Sequence, residues 1–412
     1  MNLPHTQNYS YHPTRAPKRI LSIFRMPWIL ISLTTMLIVL FLCVSTTQAI
    51  PYFARKYSIS CVSCHVQVPK LNEYGEAFIA RNYRLPNEEA RSTTATVPFS
   101  AWISGSYQKQ NSKSVEEAYL PKVELISGGP IRDTALSYFV EWRIVSRSVT
   151  APGVLKDRGG RFEDIFINLN IGECECHTVT VGQYRALRQF DVSRRLSPSE
   201  PALYSTKLAG DETDNQRLQS LRAFSPSGRS PSISYQLHSV SGDAPSDGLF
   251  HAVTVPFGGE ISLPLSPEAK QNASFELEGK PKGVFLESFY RKGLNSVGVH
   301  AFIDDDRWLL QGIGTVKVAD VYITGGVGTD EVKNKTHTRL SLEGEYITAV
   351  SERIRSAVGF RVEQVTNAGR DPAFTPYLLL TGPNTFYTYR LTARFRVQKN
   401  NNVFTLDVGS LF

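Results

Sequence analysis

The feature that most constrains the fold of this chain is a period-two alternation of apolar and polar residues, repeated in segments of about ten residues. Residues 385–398 show it most clearly, because from Tyr387 onward every second residue is apolar and the intervening residues are Thr, Arg or Gln. The apolar face of that segment comprises Tyr387, Tyr389, Leu391, Ala393, Phe395 and Val397. Such segments recur from about residue 97 onward and predict an all-β structure of amphipathic strands.

The length of these strands favours a transmembrane antiparallel β-barrel, whose strands are about ten residues long and alternate between lipid and lumen. A soluble β-sandwich is the alternative, since its strands also alternate. Aromatic residues near the strand ends favour the barrel, as does the terminal Phe412 on the apolar face of the last strand. We predict a barrel of about 16 strands over residues 97–412. Turn signals at Ser127-Gly128-Gly129-Pro130 and Gly172-Glu173 are among those that separate its strands.

Residues 1–49 have the organisation of a secretory signal peptide. A basic region precedes the apolar stretch 29–44, and the small-residue cleavage site Thr47-Gln48-Ala49 follows it. An uncleaved membrane anchor is the alternative, because the apolar stretch is nearly long enough to span a bilayer. The segment carries four basic and no acidic residues, so removing it leaves 7 − 4 = +3 on the remaining chain. We therefore expect no nucleic-acid partner.

Directly after this segment, Cys61-Val62-Ser63-Cys64-His65 matches the C-x-x-C-H pattern of covalent c-type haem attachment. Thiols at this spacing can bond the two vinyl groups of the porphyrin, and the adjacent histidine can ligate the iron. A redox pair, half of a zinc site and a plain disulfide are the alternatives. We predict one covalent haem c on Cys61 and Cys64, with His65 as an axial ligand.

The residues after the motif predict a small helix that completes a haem segment over residues 50–96. Pro69 can open a helix, and Leu71, Tyr74 and Phe78 then share one apolar face that could pack on the porphyrin. Asn82 and Pro86 would end this helix. A helix packed on something else is the alternative, because periodicity does not identify the partner of an apolar face. A barrel of about 16 strands has room for a plug of this size in its lumen.

The second axial ligand of the iron is constrained by composition. All three methionines (Met1, Met26 and Met36) lie in the predicted signal peptide, so a His/Met site is excluded in the mature chain. Loss of methionine ligation should lower the reduction potential. His238 and His300 are predicted to face the lumen, and lysine or water are further alternatives.

A second cysteine pair, Cys174 and Cys176, lies next to His177 in a predicted turn. Its spacing does not fit haem attachment. A strained disulfide, free or partly oxidised thiols, and a metal site are the alternatives left open.

The order of these parts resembles the fused monohaem cytochrome–porins of the Gram-negative outer membrane, best known from iron-oxidising bacteria. The resemblance rests on the order of the parts, on residues 50–57, on the C-x-x-C-H motif and on residues 69–78. It implies an outer-membrane protein in contact with lipid that passes single electrons from an extracellular donor, with Fe(II) suspected, to a periplasmic c-type cytochrome or copper protein. The residues carried over are Cys61, Cys64 and His65. The alternative is a solute porin with a structural or sensory haem plug.

Overall fold

The structure is a computed structural model that describes most of the chain after residue 50. The predicted signal peptide (1–49), Cys174 and Phe412 lie outside the described residues. Those described are 51–85, 99–131, 134–157, 159–172, 176–189, 194, 196, 228–240, 246–260, 276–305, 307–332, 335–351, 354–366, 371–383, 388–399 and 401–411.

Short helices and a small hairpin form the segment that carries the haem motif, which we call the plug (residues 51–85). Its elements in chain order are α1 (Pro51–Tyr57), α2 (Cys61–Cys64), β1 (His65–Gln67), β2 (Lys70–Leu71) and α3 (Glu73–Ala80). The strands β1 and β2 pair antiparallel. No helix of the described residues is long and apolar enough to cross a membrane.

Long antiparallel strands make up the rest of the described chain. They are β3 (Ser100–Gln110), β4 (Val115–Pro130), β5 (Leu136–Ala151), β6 (Val154–Asp157), β7 (Arg161–Ile171), β8 (His177–Arg185), β9 (Arg229–Val240), β10 (Gly248–Glu260), β11 (Glu276–Pro281), β12 (Val284–Lys292), β13 (Asn295–Ile303), β14 (Arg307–Val318), β15 (Val321–Val332), β16 (Lys335–Ser351), β17 (Ile354–Val365), β18 (Ala373–Pro383), β19 (Thr388–Arg396) and β20 (Val403–Leu411).

These strands close into one barrel, because β20 returns to pair with β3 and each strand pairs antiparallel with its neighbours. Within the described residues, sixteen strands complete the ring, and the short strands β6 and β11 extend the hairpins of β5 and β10. The predicted all-β barrel of about 16 strands is therefore confirmed. A sandwich would leave strand edges unpaired, whereas closure pairs them.

The barrel is inside-out relative to a soluble protein. On β16, Leu340 and Leu342 are 49% and 46% exposed on the outer surface, whereas Arg339 and Glu345, on the opposite face, are 2% and 3% exposed. The same pattern holds around the barrel, with Val297 and Val299 of β13 exposed on the outside. The period-two pattern of the sequence thus corresponds to an apolar exterior and a polar lumen.

The two ends of the barrel differ in their connections. One end, which we call the turn end, carries the two-residue connections 293–294 and 319–320 together with the start of β3 and the end of β20. The connection 366–372, between β17 and β18, lies at the opposite end.

The short turn predicted at Ser127-Gly128-Gly129-Pro130 lies a few residues later, because β4 continues through Pro130 and the antiparallel strand β5 begins at Leu136. Gly128 is a strand residue on which the plug packs closely: a Cβ there would lie 3.2 Å from Cζ of Phe53 and 2.9 Å from Cδ2 of Phe139. The glycine serves the close approach of α1 rather than a chain reversal.

The chain after β8 folds back into the lumen. Ala186 and Leu187 are buried against Phe285 and Phe302 of the wall. Further along, Leu196 is fully buried in a second apolar cluster. Described residues of this inward segment therefore fill part of the barrel interior, next to the plug.

Candidate functional site

The haem motif lies against the inner wall of the barrel. Cys61 is 3% exposed, and its Sγ lies 3.4 Å from Oγ1 of Thr388 on β19. Cys64 is half-buried at the other end of the single-turn helix α2, and neither thiol forms a disulfide. Burial, together with the neighbouring Cys61, raises the pKa of the Cys64 thiol to about 12. Since the thiolate is the metal-binding form, this environment does not favour a zinc half-site.

His65 follows as the first residue of β1, and backbone hydrogen bonds to Pro69 and Lys70 hold its ring. Nδ1 lies 2.9 Å from the carbonyl oxygen of Pro69, which only accepts, so Nδ1 donates. Nε2 is then the unprotonated nitrogen with a lone pair. Burial lowers the pKa of His65 to about 4, so the ring is neutral at pH 7. A neutral imidazole oriented through its other nitrogen is the form that ligates iron.

Asn72 joins the motif to helix α3. Its Oδ1 accepts from the backbone N of Gly75 at 3.0 Å and caps α3. Its Nδ2 donates to the carbonyl oxygens of Val62 and Ser63, at 3.1 and 3.0 Å. One side chain therefore ties the C-x-x-C turn to the following helix.

Gly75 lets α3 approach the motif closely. A Cβ at this position would lie 2.2 Å from the carbonyl oxygen of Cys64 and 2.8 Å from Cδ2 of Leu71, which real structures do not tolerate. Neither Asn72 nor Gly75 was predicted from the sequence to be a site residue. The available signal was an Asn directly before a Glu-rich helical stretch, which is typical of a helix N-terminus.

The helix prediction after the motif is correct in kind and wrong in its start. Lys70 and Leu71 pair with β1 as a hairpin, so α3 begins at Glu73 rather than at Pro69. Leu71 and Phe78 are buried and line the cavity described below, as predicted, whereas Tyr74 is 41% exposed. Tyr74 therefore does not share the buried face that the sequence predicted for these three residues.

A cavity of about 620 Å³ lies between Cys64 and His65 of the motif and one part of the barrel wall. Such a volume is within the range of cofactor-binding sites. On the plug side it is lined by Cys64, His65, Leu71, Gly75, Phe78 and Tyr83. On the wall side it is lined by residues that include Phe139, Phe166, Tyr184, His238, Phe250 and Phe289.

Stacked aromatic rings run from the plug onto the wall of this cavity. Tyr83 stacks on Phe53 of α1 and on Phe139 of β5, with centroids 5.6 Å apart in each case. Phe139 continues to Phe166 at 5.7 Å, and Phe166 meets Tyr184 edge-on at 5.6 Å. These rings give this side of the cavity a flat apolar surface.

Charged residues surround the apolar part of the cavity. Arg185 and Arg188 line it, and guanidinium groups suit the two carboxylates of a haem. A buried ionic cluster lies beside them, in which Arg143 bonds Glu124 at 2.6 Å and Glu163 at 3.0 Å. These residues together fit a covalently bound c-type haem: thiols at the attachment spacing, an oriented imidazole, apolar walls and cations at the rim.

The plug is fixed to the lumen wall by polar contacts near the turn end. Arg84 donates to the carbonyl oxygens of Thr134 and Leu136, at 2.7 and 3.0 Å. Arg55 donates to the carbonyl oxygen of Phe99 at 2.8 Å. Lys70 forms a buried ion pair with Glu345. The segment therefore contacts inward-facing residues on several strands.

The predicted lumen histidines differ in position. His238 of β9 lines the cavity together with His65. His300 is 1% exposed, stacks parallel to Phe285 and lies 3.4 Å from Oε1 of Glu287, away from the cavity. Both face inward as predicted, but only His238 of the two lines the cavity that Cys64 and His65 also line.

Of the second cysteine pair, Cys176 lines the cavity and is disulfide-bonded. Its predicted partner Cys174 lies outside the described residues. In the part of the chain that the structure describes, no group of three or more His, Cys, Asp or Glu side chains is arranged to hold a metal ion.

Comparison with known proteins gives similarities of fold. No protein-family profile and no curated protein matches the sequence. Among solved structures, an anion-selective porin from Comamonas acidovorans is 10% identical with a TM-score of 0.48, over 77% of this chain and 98% of that one. Salmonella typhi OmpF is 11% identical with a TM-score of 0.47, over 76% and 97% of the two chains. The outer membrane channel DcaP of Acinetobacter baumannii is 11% identical with a TM-score of 0.44, over 76% and 96%.

Proposed function

We propose that this protein is an outer-membrane electron-transfer protein that carries one covalent haem c inside a porin-like barrel. The observation that supports it most is the position of Cys64 and His65 at a cavity within the lumen of a closed barrel. An attachment motif on a soluble surface would need no barrel, and a plain porin would need no attachment motif.

The exterior of the barrel supports a membrane location. Valine, leucine and isoleucine side chains are exposed around it, whereas the charged residues of the same strands face inward. Closed barrels satisfy all backbone hydrogen bonds within the bilayer, so such a surface suits lipid. The predicted signal peptide adds export, and a β-barrel with an export signal belongs in the outer membrane of a Gram-negative bacterium.

The residues of the plug have separate tasks in this proposal. Cys61 and Cys64 would hold the group covalently, His65 would provide a nitrogen ligand to its iron, and the aromatic walls would exclude water. The haem supplies one-electron chemistry when it is bound. The apolar band of such barrels is about 25 Å tall, so a carrier held in the lumen shortens the distance that an electron must cross.

The position of the plug suggests from which side of the membrane each electron-transfer partner reaches it. Its anchors lie near the turn end, and short turns face the periplasm in outer-membrane barrels. We propose that a periplasmic c-type cytochrome or copper protein exchanges electrons at this end. The extracellular donor, for which we propose Fe(II), would act from the opposite end.

Proteoliposomes test this proposal. Full-length protein matured with haem is inserted into vesicles that enclose a membrane-impermeant electron acceptor, and Fe(II) is added outside. We expect reduction of the enclosed acceptor with the native protein and none with a Cys61→Ala/Cys64→Ala variant. A His251→Ala variant, altered on the exposed outer face, is the matched control and should behave as native. Equal acceptor reduction with the cysteine variant, or a native protein without haem, would overturn the proposal.

A solute porin with a structural haem plug is the second candidate. The charged lumen wall favours it, since Arg143, Glu163 and Arg229 form a cluster that also suits ion passage. Conductance of the same preparations in planar bilayers separates the two functions. Large, steady conductance of the native protein without electron transfer would favour the porin.

A further inference from the structure

Among the described residues of the barrel wall, His238 is the histidine that lines the same cavity as His65. We propose that His238 is the second axial ligand of the haem iron, so that the metal joins the plug to the barrel. This inference rests on the proposed haem function. It assigns the ligand among the alternatives that the sequence left open.

Apart from His65 and His238, the histidines after residue 50 do not line the cavity. The ring of His177 stacks on Tyr235, and His251 is exposed on the outer face. His300 is packed against Phe285 and Glu287. His337 is buried near Thr366, at the end opposite the turn end. Of these residues, His238 is the one that lines the cavity.

Lysine is the other neutral nitrogen ligand to consider. Lys122 lines the cavity, and its Nζ lies 2.9 Å from Oε2 of the buried Glu124. This ion pair directs the Lys122 ammonium group, which has no lone pair to donate to a metal, at the carboxylate. Lys70 is held by Glu345 and lies over the ring of Tyr322 at 4.3 Å. Both lysines are therefore engaged as cations.

The plug is anchored on both sides of His238. On one side, Nδ2 of Asn82 lies 3.0 Å from Oγ1 of Thr178 on β8. Thr178 is opposite Gln236 on β9, and Gln236 lies two residues before His238 on the same face. The chain immediately after α3 is thus fixed next to the strand that carries this histidine.

On the other side, α3 is fixed to β12. Glu76 accepts from Nη1 of Arg291 at 2.7 Å, and Arg291 lies two residues after Phe289. Phe289 is opposite Phe250 on β10, and Phe250 is opposite His238. With strands about 4.8 Å apart, His238 lies about two strand spacings from the backbone of β12. The stretch from Glu76 to Asn82 is therefore fixed to β12 on one side and to β8 on the other side of the strand that carries His238.

Apolar rings flank the histidine on this wall. The His238 ring lies 6.4 Å from the ring of Phe250, which stacks on Phe289 at 4.7 Å. These rings restrict the imidazole. One ring nitrogen hydrogen-bonds the backbone of Asp247, which leaves the other nitrogen available to a metal.

Optical and electron paramagnetic resonance spectra of the haem-loaded, full-length protein test the inference. We expect a low-spin ferric signal in the native protein and no carbon monoxide binding to its ferrous form. His238→Ala should lose the low-spin signal and bind carbon monoxide, and added imidazole should restore the low-spin signal. His300→Ala, also a buried lumen histidine, is the matched control and should keep the native spectrum.

Several outcomes would overturn the inference. These are a low-spin signal that survives in His238→Ala, a native protein that already binds carbon monoxide, and the same loss in His300→Ala. Folding of each variant is checked by heat-dependent mobility of the barrel on a gel, and imidazole rescue shows that the haem site is intact. A haem-free native protein would overturn the proposed function as well, so the two failures are distinguishable.

Discussion

Glu76 of α3 and Arg291 of β12 form a buried ion pair, with Oε2 of the carboxylate 2.7 Å from Nη1 of the guanidinium. The same carboxylate accepts from Arg194 of the inward segment at 2.7 Å. Glu76 is only 4% exposed. One carboxylate thus connects the plug, the barrel wall and the chain that folds into the lumen after β8.

Glu76→Gln should loosen the plug. Removing the negative charge that two buried guanidinium groups share is expected to weaken plug seating by about 3–5 kcal/mol. We expect more frequent conducting events in planar bilayers and faster tryptic cleavage within residues 51–85. Glu116→Gln is the control, because Glu116 and its partner Lys109 are 58% and 53% exposed. If both variants keep native conductance and cleavage rates, the ion pair does not hold the plug.

Gly75→Ala should impair haem attachment. The added Cβ meets the Cys64 carbonyl oxygen and must displace α3, at a cost of about 1–3 kcal/mol or more. Haem staining of purified protein should show a clear loss at equal protein amounts. Gly105→Ala, where nothing lies within 4 Å of the added Cβ, should stain as native. Native staining of Gly75→Ala would contradict the close packing described.

Asn72→Ala should destabilise α3 by about 0.5–2 kcal/mol through loss of its cap. It also removes the two bonds to the carbonyl oxygens of Val62 and Ser63. Hydrogen exchange of residues 61–80 should become faster. Asn72→Asp separates the two roles, because aspartate can still cap α3 but cannot donate to the carbonyls. In Asn72→Asp we expect slow exchange in α3 and faster exchange in residues 61–65. Slow exchange in both regions would show that the bonds from Asn72 do not hold the 61–65 turn.

Val299→Arg should destabilise the folded barrel in lipid by about 2–4 kcal/mol, the cost of a cation at the bilayer midplane. Val299 is 59% exposed at the centre of β13, whereas Val318 is 62% exposed at the end of β14. Val318→Arg should cost only about 0–1 kcal/mol, because it lies near the interface. Urea titrations in liposomes measure both. Equal effects at the two positions would contradict a lipid-facing exterior.

Individual strands were predictable because each depends on a local pattern. The alternation in residues 388–396 and 340–346 was sufficient to assign outer and inner faces, and the structure confirms both. Ends and connections were harder. Gly128 looked like a turn residue because glycine signals both turns and close approaches, and the packed ring of Phe53 is remote in sequence.

The sequence by itself determined the barrel and the haem-attachment motif, since both follow from the identity and spacing of neighbouring residues. Only the tertiary structure decided that His238 and not His300 lines the cavity beside the motif residues Cys64 and His65, and that Glu76 meets Arg291 across 215 residues of chain. The physical reason is closure. Which inward side chains face each other across a lumen depends on the register of every strand between them, and no local pattern contains that information.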